Sequence, residues 1–460
     1  MWDTPFRLLQ AEIVQREYEG YPVPEAIKEQ VNALRDAKDF DNETKIAELN
    51  QALLELAPDP DFAFEQPDDL EDIRKLRPEG PRKLPMKLDE SELLDKLHGA
   101  WMGRSCGCAL GKPVEILGMM GHGSMNGRLA IKAYLENRNQ WPLDFYFSNQ
   151  ETSDGMALRP GRSFRENIDY MEPDDDIHYT LIGLQVLEEK GPDFAWHDVA
   201  RQWNQSLPYY AICTAETQAI MNFNLKTPRM GGEFIYPTPD FTRRHNNPYR
   251  EWIGAQIRAD GWAYTCAGNP ELAAELAWRD AHWTHTANGI YGEMFIAAII
   301  AAAFVESDPR KLVEIGLSEI PRNCKLAEAI HLTLEWIEIS QDFESFMEKL
   351  EALHGDMSSV HTVNNAMIVV MSLFYGEMDP DRSICISVMA ALDTDCNGAT
   401  VGSIVGAVSG RKNFGGKLAE SLNDTIKPQV FGFQSVTMQD LARRSLAVHK
   451  TVLEYALKHK

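Results

Sequence analysis

The chain has little that would tie it to a membrane, a disulfide frame or a nucleic acid. Its longest clean apolar run, residues 294–305, is shorter than the roughly 20 residues that span a bilayer. Met1-Trp2-Asp3-Thr4 shows no basic stretch leading into an apolar one, so no secretory signal and a cytoplasmic location are expected. The seven cysteines are an odd number, scattered through 460 residues, which fits reduced thiols and not a disulfide framework. Cys106-Gly107-Cys108 lacks the two-residue spacer of a zinc knuckle. Basic residues are scarce: 45 against 69 acidic, a net charge of −24. Such a surface repels phosphate backbones, and no local basic patch offsets it, so neither a nucleic-acid nor a membrane partner is expected. Apolar–polar alternation of the kind that marks strands is missing too. What remains, 44% apolar and 25% charged, is an ordinary globular composition, and the length suits two or three domains.

Helical periodicity is what the chain has in quantity. Residues 26–37 and 43–56 carry apolar positions near a 3.6-residue period, and 58–85 is rich in Pro, Asp and Glu. Residues 1–87 therefore read as an N-terminal helical extension with a linker or wrapping arm, and 88–460 as the main domain. Ser91 is a candidate cap for the helix that follows. Gly99, Gly103, Gly107 and Gly111 then recur every four residues, on one helical face. Gly398, Gly402, Gly406 and Gly410 repeat the pattern. Glycine inside a helix costs about 1 kcal/mol relative to alanine, so each ridge implies close approach by a partner helix. Residues 118–171 look irregular, with the aromatics Trp141, Phe145, Tyr146 and Phe164, and read either as a pocket wall or as a surface excursion. Residues 177–189 and 194–203 are expected helices, and 221–262 turns irregular again. From Pro270 to Phe304 the pattern is helical, which places His282 and His285 on one face and makes 294–305 a buried helix. Residues 309–391 alternate helix and break, and Thr437 starts a closing helix to about 457. The fold class is all-α, many-helixed and compact.

The candidate chemistry lies in two acidic turns. Asp174-Asp175-Asp176 opens an apolar helical run. One aspartate suffices to cap a helix and offset its dipole. Three adjacent ones repel one another, and a bound cation relieves this; both readings stand on these residues alone. Oxygen ligands of this type suit Mg²⁺, Ca²⁺ or Mn²⁺. Far downstream, Asp393-Thr394-Asp395-Cys396-Asn397 opens another helix. Residues two apart diverge on a helix, but in the turn before one they can converge. Two such helix starts sharing one or two cations would orient sugar hydroxyls or polarise water. The terpene-synthase DDxxD pattern does not fit, because its distal acid is missing from Asp176-Ile177-His178-Tyr179. Glu115, just after Gly111-Lys112-Pro113, is a candidate acid or base. The segment from Gly254 to Gly261, with Arg258 in it, offers donors to a phosphate. His282 and His285 are either ligands or satisfied core residues.

Four segments, taken in order, resemble the ADP-ribosylglycohydrolase family of the dinitrogenase-reductase-activating type, over roughly residues 90–450. They are the Gly-rich stretch Gly103 to Glu115, Asp174-Asp175-Asp176-Ile177, Ala281-His282-Trp283-Thr284-His285, and Leu392-Asp393-Thr394-Asp395-Cys396. The resemblance implies an all-α fold, two Mg²⁺ ions and hydrolysis at C1″ of an ADP-ribosyl group. It implies Asp175, Asp176, Asp393 and Asp395 as metal ligands. Asp174 stands where the family usually has Thr and still offers oxygen. Cys396 also replaces a usual Thr at the metal, although a thiol is a poor partner for Mg²⁺. Cys108 stands where many members have Asp. Glu115 and Asp176 are the expected catalytic carboxylates, with Glu115 orienting or deprotonating water; the resemblance implies His285 as a substrate contact, to which the reading of the residues themselves adds Gly254 and Arg258. The expected substrate is an ADP-ribosylated protein. A ribosylated small molecule, such as a free nucleoside, or ADP-ribose binding without cleavage are the alternatives. The N-terminal extension has no counterpart in compact members.

Overall fold

Two glycine-marked helices, Glu90–Gly111 and Thr394–Asn413, run antiparallel against each other and set the geometry of everything around them. The computed structural model describes residues 2–227 and 236–458. The ridges face each other: Gly99 meets the backbone of Gly406, Gly103 that of Gly402, Gly107 that of Gly398, and Gly111 that of Thr394. A β-carbon on any of these four would come closer than 3.0 Å to the partner backbone. The propensity lost at each glycine is offset by this backbone-to-backbone packing, and residues 99–111 are all buried. Lys96 ties the far end of the pair, donating to Ala407 O at 3.0 Å and Val408 O at 2.6 Å. Gly410 adopts φ 69° and kinks the second helix there. Asp89, not Ser91, caps the first: its carboxylate accepts the Glu92 N–H at 2.9 Å, and Glu92 returns the bond to Asp89 N.

The other helices wrap this pair. Ala287–Ala303 is buried on every side. It is separate from Pro270–Ala281, because Thr286 is extended and Ala287 turns to φ 42°. His282 and His285 therefore lie in the turn between two helices and not on one helical face. The segment expected to be irregular at 118–171 contains a helix, Gly127–Glu136, capped by Asn126 and packed inward through Ala130, Ile131, Tyr134 and Leu135. Tyr146 and Phe164 from the same segment are core residues. The expected irregular stretch 221–262 holds the end of Thr214–Lys226, then Pro239–Arg244 and Ala259–Ala263; residues 228–235 lie outside the described residues. Thr425–Ile426 and Val436–Thr437 form an antiparallel two-stranded pair, and Met438–Lys458 closes the chain. The all-α class read from the sequence is the architecture observed.

Residues 2–87 do two things. Pro5–Tyr18, Glu25–Asp36 and Glu43–Leu54 gather a small core of their own around Leu9, Ile46, Leu49 and Leu53. The following arm wraps the main body through backbone bonds such as Glu65 N to Asn323 O at 2.9 Å and Leu84 N to Gly268 O at 2.8 Å. It also forms a short helix, Leu70–Leu76, whose Ile73 joins the main core. The helical part is welded on by charge. Arg250 is buried and grips Glu12 at 2.8 and 2.9 Å and Glu19 at 2.7 and 2.8 Å. Burial pushes the Glu19 carboxyl up, but Arg250 first, then Arg244 and Arg16, pull it down to about 2.

Gly107→Ala is expected to lower stability by at least about 2 kcal/mol, read as the urea midpoint, whereas Gly415→Ala, which meets nothing within 4 Å, should stay within about 0.5 kcal/mol. Arg250→Met strands the buried Glu12 carboxylate, takes from Glu19 its main partner and should cost about 3–5 kcal/mol. Because the Glu19 carboxyl is depressed from 4.5 to about 2, its share of stability is complete above pH 4.5 and is lost as the pH falls towards 2. A urea midpoint that drops through that window in the parent, and drops less in Arg250→Met, is the expected result.

Candidate metal centre

The glycine contact delivers the two acidic turns to one place. At its end, Gly111 lies against Thr394, whose hydroxyl donates to Gly111 O at 2.8 Å. Residues 112–115 and 393–396 therefore sit side by side. The helix Asp175–Lys190 brings its N-terminus to the same spot, held by Arg104 from the first glycine helix. Arg104 donates to Asp176 O at 2.9 and 2.6 Å and to Asp176 Oδ1 at 3.1 Å.

Three groups of potential ligand atoms result, each within 4.8 Å of one another: Glu115, Asp393 and Asp395; Asp176, Asp395 and Cys396; and Cys108, Asp174 and Asp176. Asp395 belongs to the first two and Asp176 to the last two, so the groups form one continuous acidic groove. The second turn reaches it through strained backbone. Ala391 and Leu392 both lie in the left-handed region, at φ 69° and 59°, where a side chain costs about 1–2 kcal/mol. Buried Asn365 holds that turn: its Oδ1 accepts Asp393 N–H at 3.2 Å and the Asn397 side-chain amide at 2.8 Å.

The three consecutive aspartates have three different jobs. Asp174 is the helix cap, accepting Asp176 N–H at 3.2 Å, and its other oxygen takes the Lys112 ammonium at 2.6 Å. Burial raises its carboxyl, but Lys112 pulls it down to about 2. Both oxygens already accept a hydrogen bond from the protein, while Asp174 still counts in the group with Cys108 and Asp176. Asp175 is half-buried at the groove edge and belongs to none of the three groups among the described residues. Asp176 is fully buried; Arg104 takes one oxygen, while Oδ2 has no hydrogen-bond partner.

That orphaned oxygen is the observation that a cation fits. A buried, unpartnered carboxylate oxygen is costly, and Asp176 lies in two groups, each pairing it with one further carboxylate and a thiol, whose carboxylate oxygens suit Mg²⁺, Mn²⁺ or Ca²⁺. The Asp395 carboxyl is pushed well up by burial, then by Glu115 and Asp393; a cation among them would reverse this. Burial, then Asp393, pushes Glu115 up to about 7 against the pull of Arg159. The thiols of Cys108 and Cys396 are raised by burial and then by neighbouring aspartates, and so stay protonated. Neither is a good donor to a hard ion.

His285, Gly254 and Arg258 are placed elsewhere. Arg258 is buried and spends its donors on Asp280 at 2.7 Å, Glu216 at 2.5 Å, Thr284 Oγ1 at 2.9 Å and Gly254 O at 3.0 Å. Four of its five N–H donors are thus used inside the core, the fifth lies toward Glu293 at 3.6 Å, and the side chain is buried away from a substrate phosphate. A β-carbon on Gly254 would strike the Glu216 carboxylate, so this glycine makes room for the ion pair. His285 is fully buried, bonded through Nδ1 to Thr284 Oγ1 at 2.7 Å, and its pKa is driven well down by burial and then by Arg258. The structure places these three, read from the sequence as substrate contacts, in a neutral-plus-charged buried network behind Tyr179, one helical turn from Asp175. His282 stacks flat on Trp278 at 4.0 Å and is likewise structural. Sequence reading missed Arg104, Lys112, Arg159 and Asn365. Arg104 carried a signal: it is the one Lys, Arg, Asp or Glu among residues 97–111, so it needed a buried carboxylate partner.

A family model described as ADP-ribosylglycohydrolase matches residues 89–452. No curated protein matches the chain. A solved structure described as "ADP-ribosylglycohydrolase-related protein complex" is similar at 16% identity, covering 78% of this chain and 99% of its own, with a TM-score of 0.48.

Asp395→Asn removes a carboxylate shared by two of the three groups. It is expected to weaken Mg²⁺ or Mn²⁺ binding, read by calorimetry, by at least about tenfold. Equal affinity in variant and parent would remove Asp395 from the centre.

Proposed function

The chain belongs to the ADP-ribosylglycohydrolase family, and on that footing we propose that it is a metal-dependent hydrolase that cleaves the glycosidic bond at C1″ of an ADP-ribosyl group. The observation that carries this reading is the unpartnered Asp176 oxygen inside an acidic groove built from both turns. Asp176, Asp393, Asp395 and Glu115 are the residues that would hold Mg²⁺, with Mn²⁺ or Ca²⁺ as alternatives, and the two groups sharing Asp395 suit two ions. Such ions, when bound, would supply orientation of the ribose 2″ and 3″ hydroxyls.

The protein's own groups account for the rest. Positive character develops at C1″ as the bond to the leaving group stretches, as in other glycoside cleavages. The carboxylates of Asp176 and Asp395 stabilise it. Glu115, held by the Arg159 guanidinium, is the carboxylate placed to accept a proton from the attacking water and to return one to the leaving group. Arg104 and Lys112 act by position: they fix Asp176 and Asp174 so that the groove does not collapse under its own repulsion. The substrate is an ADP-ribosylated protein. The location is proposed to be cytoplasmic, and no helix among the described residues is long and apolar enough to cross a membrane.

The test is incubation with arginine-linked and serine-linked ADP-ribosyl peptides, with Mg²⁺ and with EDTA, followed by mass spectrometry. Release of ADP-ribose that EDTA abolishes is expected. Equal release in both conditions would contradict metal dependence, and cleavage of free nucleosides alone would move the substrate to small molecules.

A further inference from the structure

We infer that Arg159 selects substrates that carry a diphosphate, by presenting a guanidinium at the mouth of the acidic groove. The inference rests on the ADP-ribosyl reading above and names the residue that makes it possible. The carboxylates of Glu115, Asp174, Asp175, Asp176, Asp393 and Asp395 are balanced only as far as cations bind among them, and by themselves they do nothing to draw a phosphate in. An ADP-ribosyl group brings two phosphates beside the ribose that must enter, so the entrance needs a cation with free donors.

The cations that touch the groove differ sharply in what they have left to give. Lys112 is buried and donates to Asp174 and Pro173 O, both at 2.6 Å. Arg104 is buried and divided among Asp176, Asp260 and Ile257 O. Arg159 is different: its side chain is 46% exposed, and it makes one side-chain contact, a charge-assisted hydrogen bond from a terminal nitrogen to Glu115 Oε2. Its Nε and second terminal nitrogen carry no hydrogen bond among the described residues. They form the planar fork that pairs two-pronged with phosphate oxygens. Asp174 and Asp395 are the next carboxylates to feel its charge, so it stands over the groove and does not point away from it.

Its position is set in advance. Arg159 N donates to Pro113 O at 3.0 Å, two residues before Glu115. On one side Arg138 holds Asp154 at 2.7 Å. On the other, Glu172 accepts the N–H groups of Arg162 and Ser163 at 3.0 and 3.1 Å. A donor held ready loses little freedom on binding. The segment read from the sequence either as a pocket wall or as a surface excursion thus acquires a chemical role: it carries a basic residue with donors that Arg104 and Lys112, spent inside the centre, do not have to give.

The test is calorimetry of ADP-ribose and of adenosine, which has no phosphate, on the full chain with Mg²⁺ present. Parent, Arg159→Ala and Arg159→Lys are compared. Arg159→Ala is expected to weaken ADP-ribose by at least about tenfold, as loss of a charged hydrogen-bond pair does, and to leave adenosine within about twofold. Arg159→Lys should recover part of the loss, because the charge returns without the fork. The same ADP-ribose affinity in Arg159→Ala and parent would overturn the inference. Equal weakening of both ligands would overturn it too, since the guanidinium would then serve only to hold Glu115. A parent that binds no ADP-ribose at all would overturn the ADP-ribosyl reading, and this inference with it, which keeps the two failures apart.

Discussion

The contact on which this molecule depends is glycine against backbone. Four glycines of one helix and the facing residues of another let two main chains approach closer than any side chain would permit. The approach has a register, because each ridge residue fits one partner. That register places Gly111 against Thr394, and with it the turn carrying Glu115 against the turn carrying Asp393 and Asp395. The proposed centre is therefore not assembled by loops folding over a surface. It is the end of the most tightly packed interface in the core, which is where carboxylates of high mutual repulsion can be held without spreading.

Electrostatics then divides the carboxylates. Buried cations supplied by the protein take two of them: Lys112 takes Asp174 and Arg104 takes one oxygen of Asp176. Of the remainder, Glu115, Asp393 and Asp395 form one group and Asp176 and Asp395 belong to a second, with Asp176 Oδ2 unpartnered and Glu115 met by the half-exposed Arg159. This arrangement separates structural charge from chemical charge. The same separation explains the second buried network, in which Arg258 is saturated by Glu216, Asp280 and a more distant Glu293, and His285 is kept neutral. Those groups stiffen the wall behind the groove. The N-terminal extension, fixed by Arg250 to Glu12 and Glu19, docks just before Gly254 in the sequence and so braces that wall from outside.

Much of this was legible in the sequence because it is written at short range. Four-residue glycine spacing specifies a ridge, and acidic tripeptides at helix starts specify a cap with charge to spare. The all-α class followed from helical periodicity alone. What was not legible depends on partners far apart in the chain. Nothing local distinguishes Asp174, whose oxygens are spent on Lys112 and a cap, from Asp176, which keeps one free. His285 looked available because the turn at His282 to Thr286 was read as helix, and Arg258 because its segment was read as irregular, where the structure has two short buried helical turns. The strained pair Ala391 and Leu392 has no sequence signal, since neither is glycine; Asn365, some thirty residues upstream, holds it in place.

The central claim is that the two acidic turns, joined by the glycine helices, bind divalent cation between them. Anomalous diffraction from crystals of the protein grown with Mn²⁺ tests it most directly. The account predicts manganese within bonding distance of Asp176 Oδ2 and Asp395. Manganese absent from that groove at saturating concentration, or bound only elsewhere on the acidic surface, would contradict it.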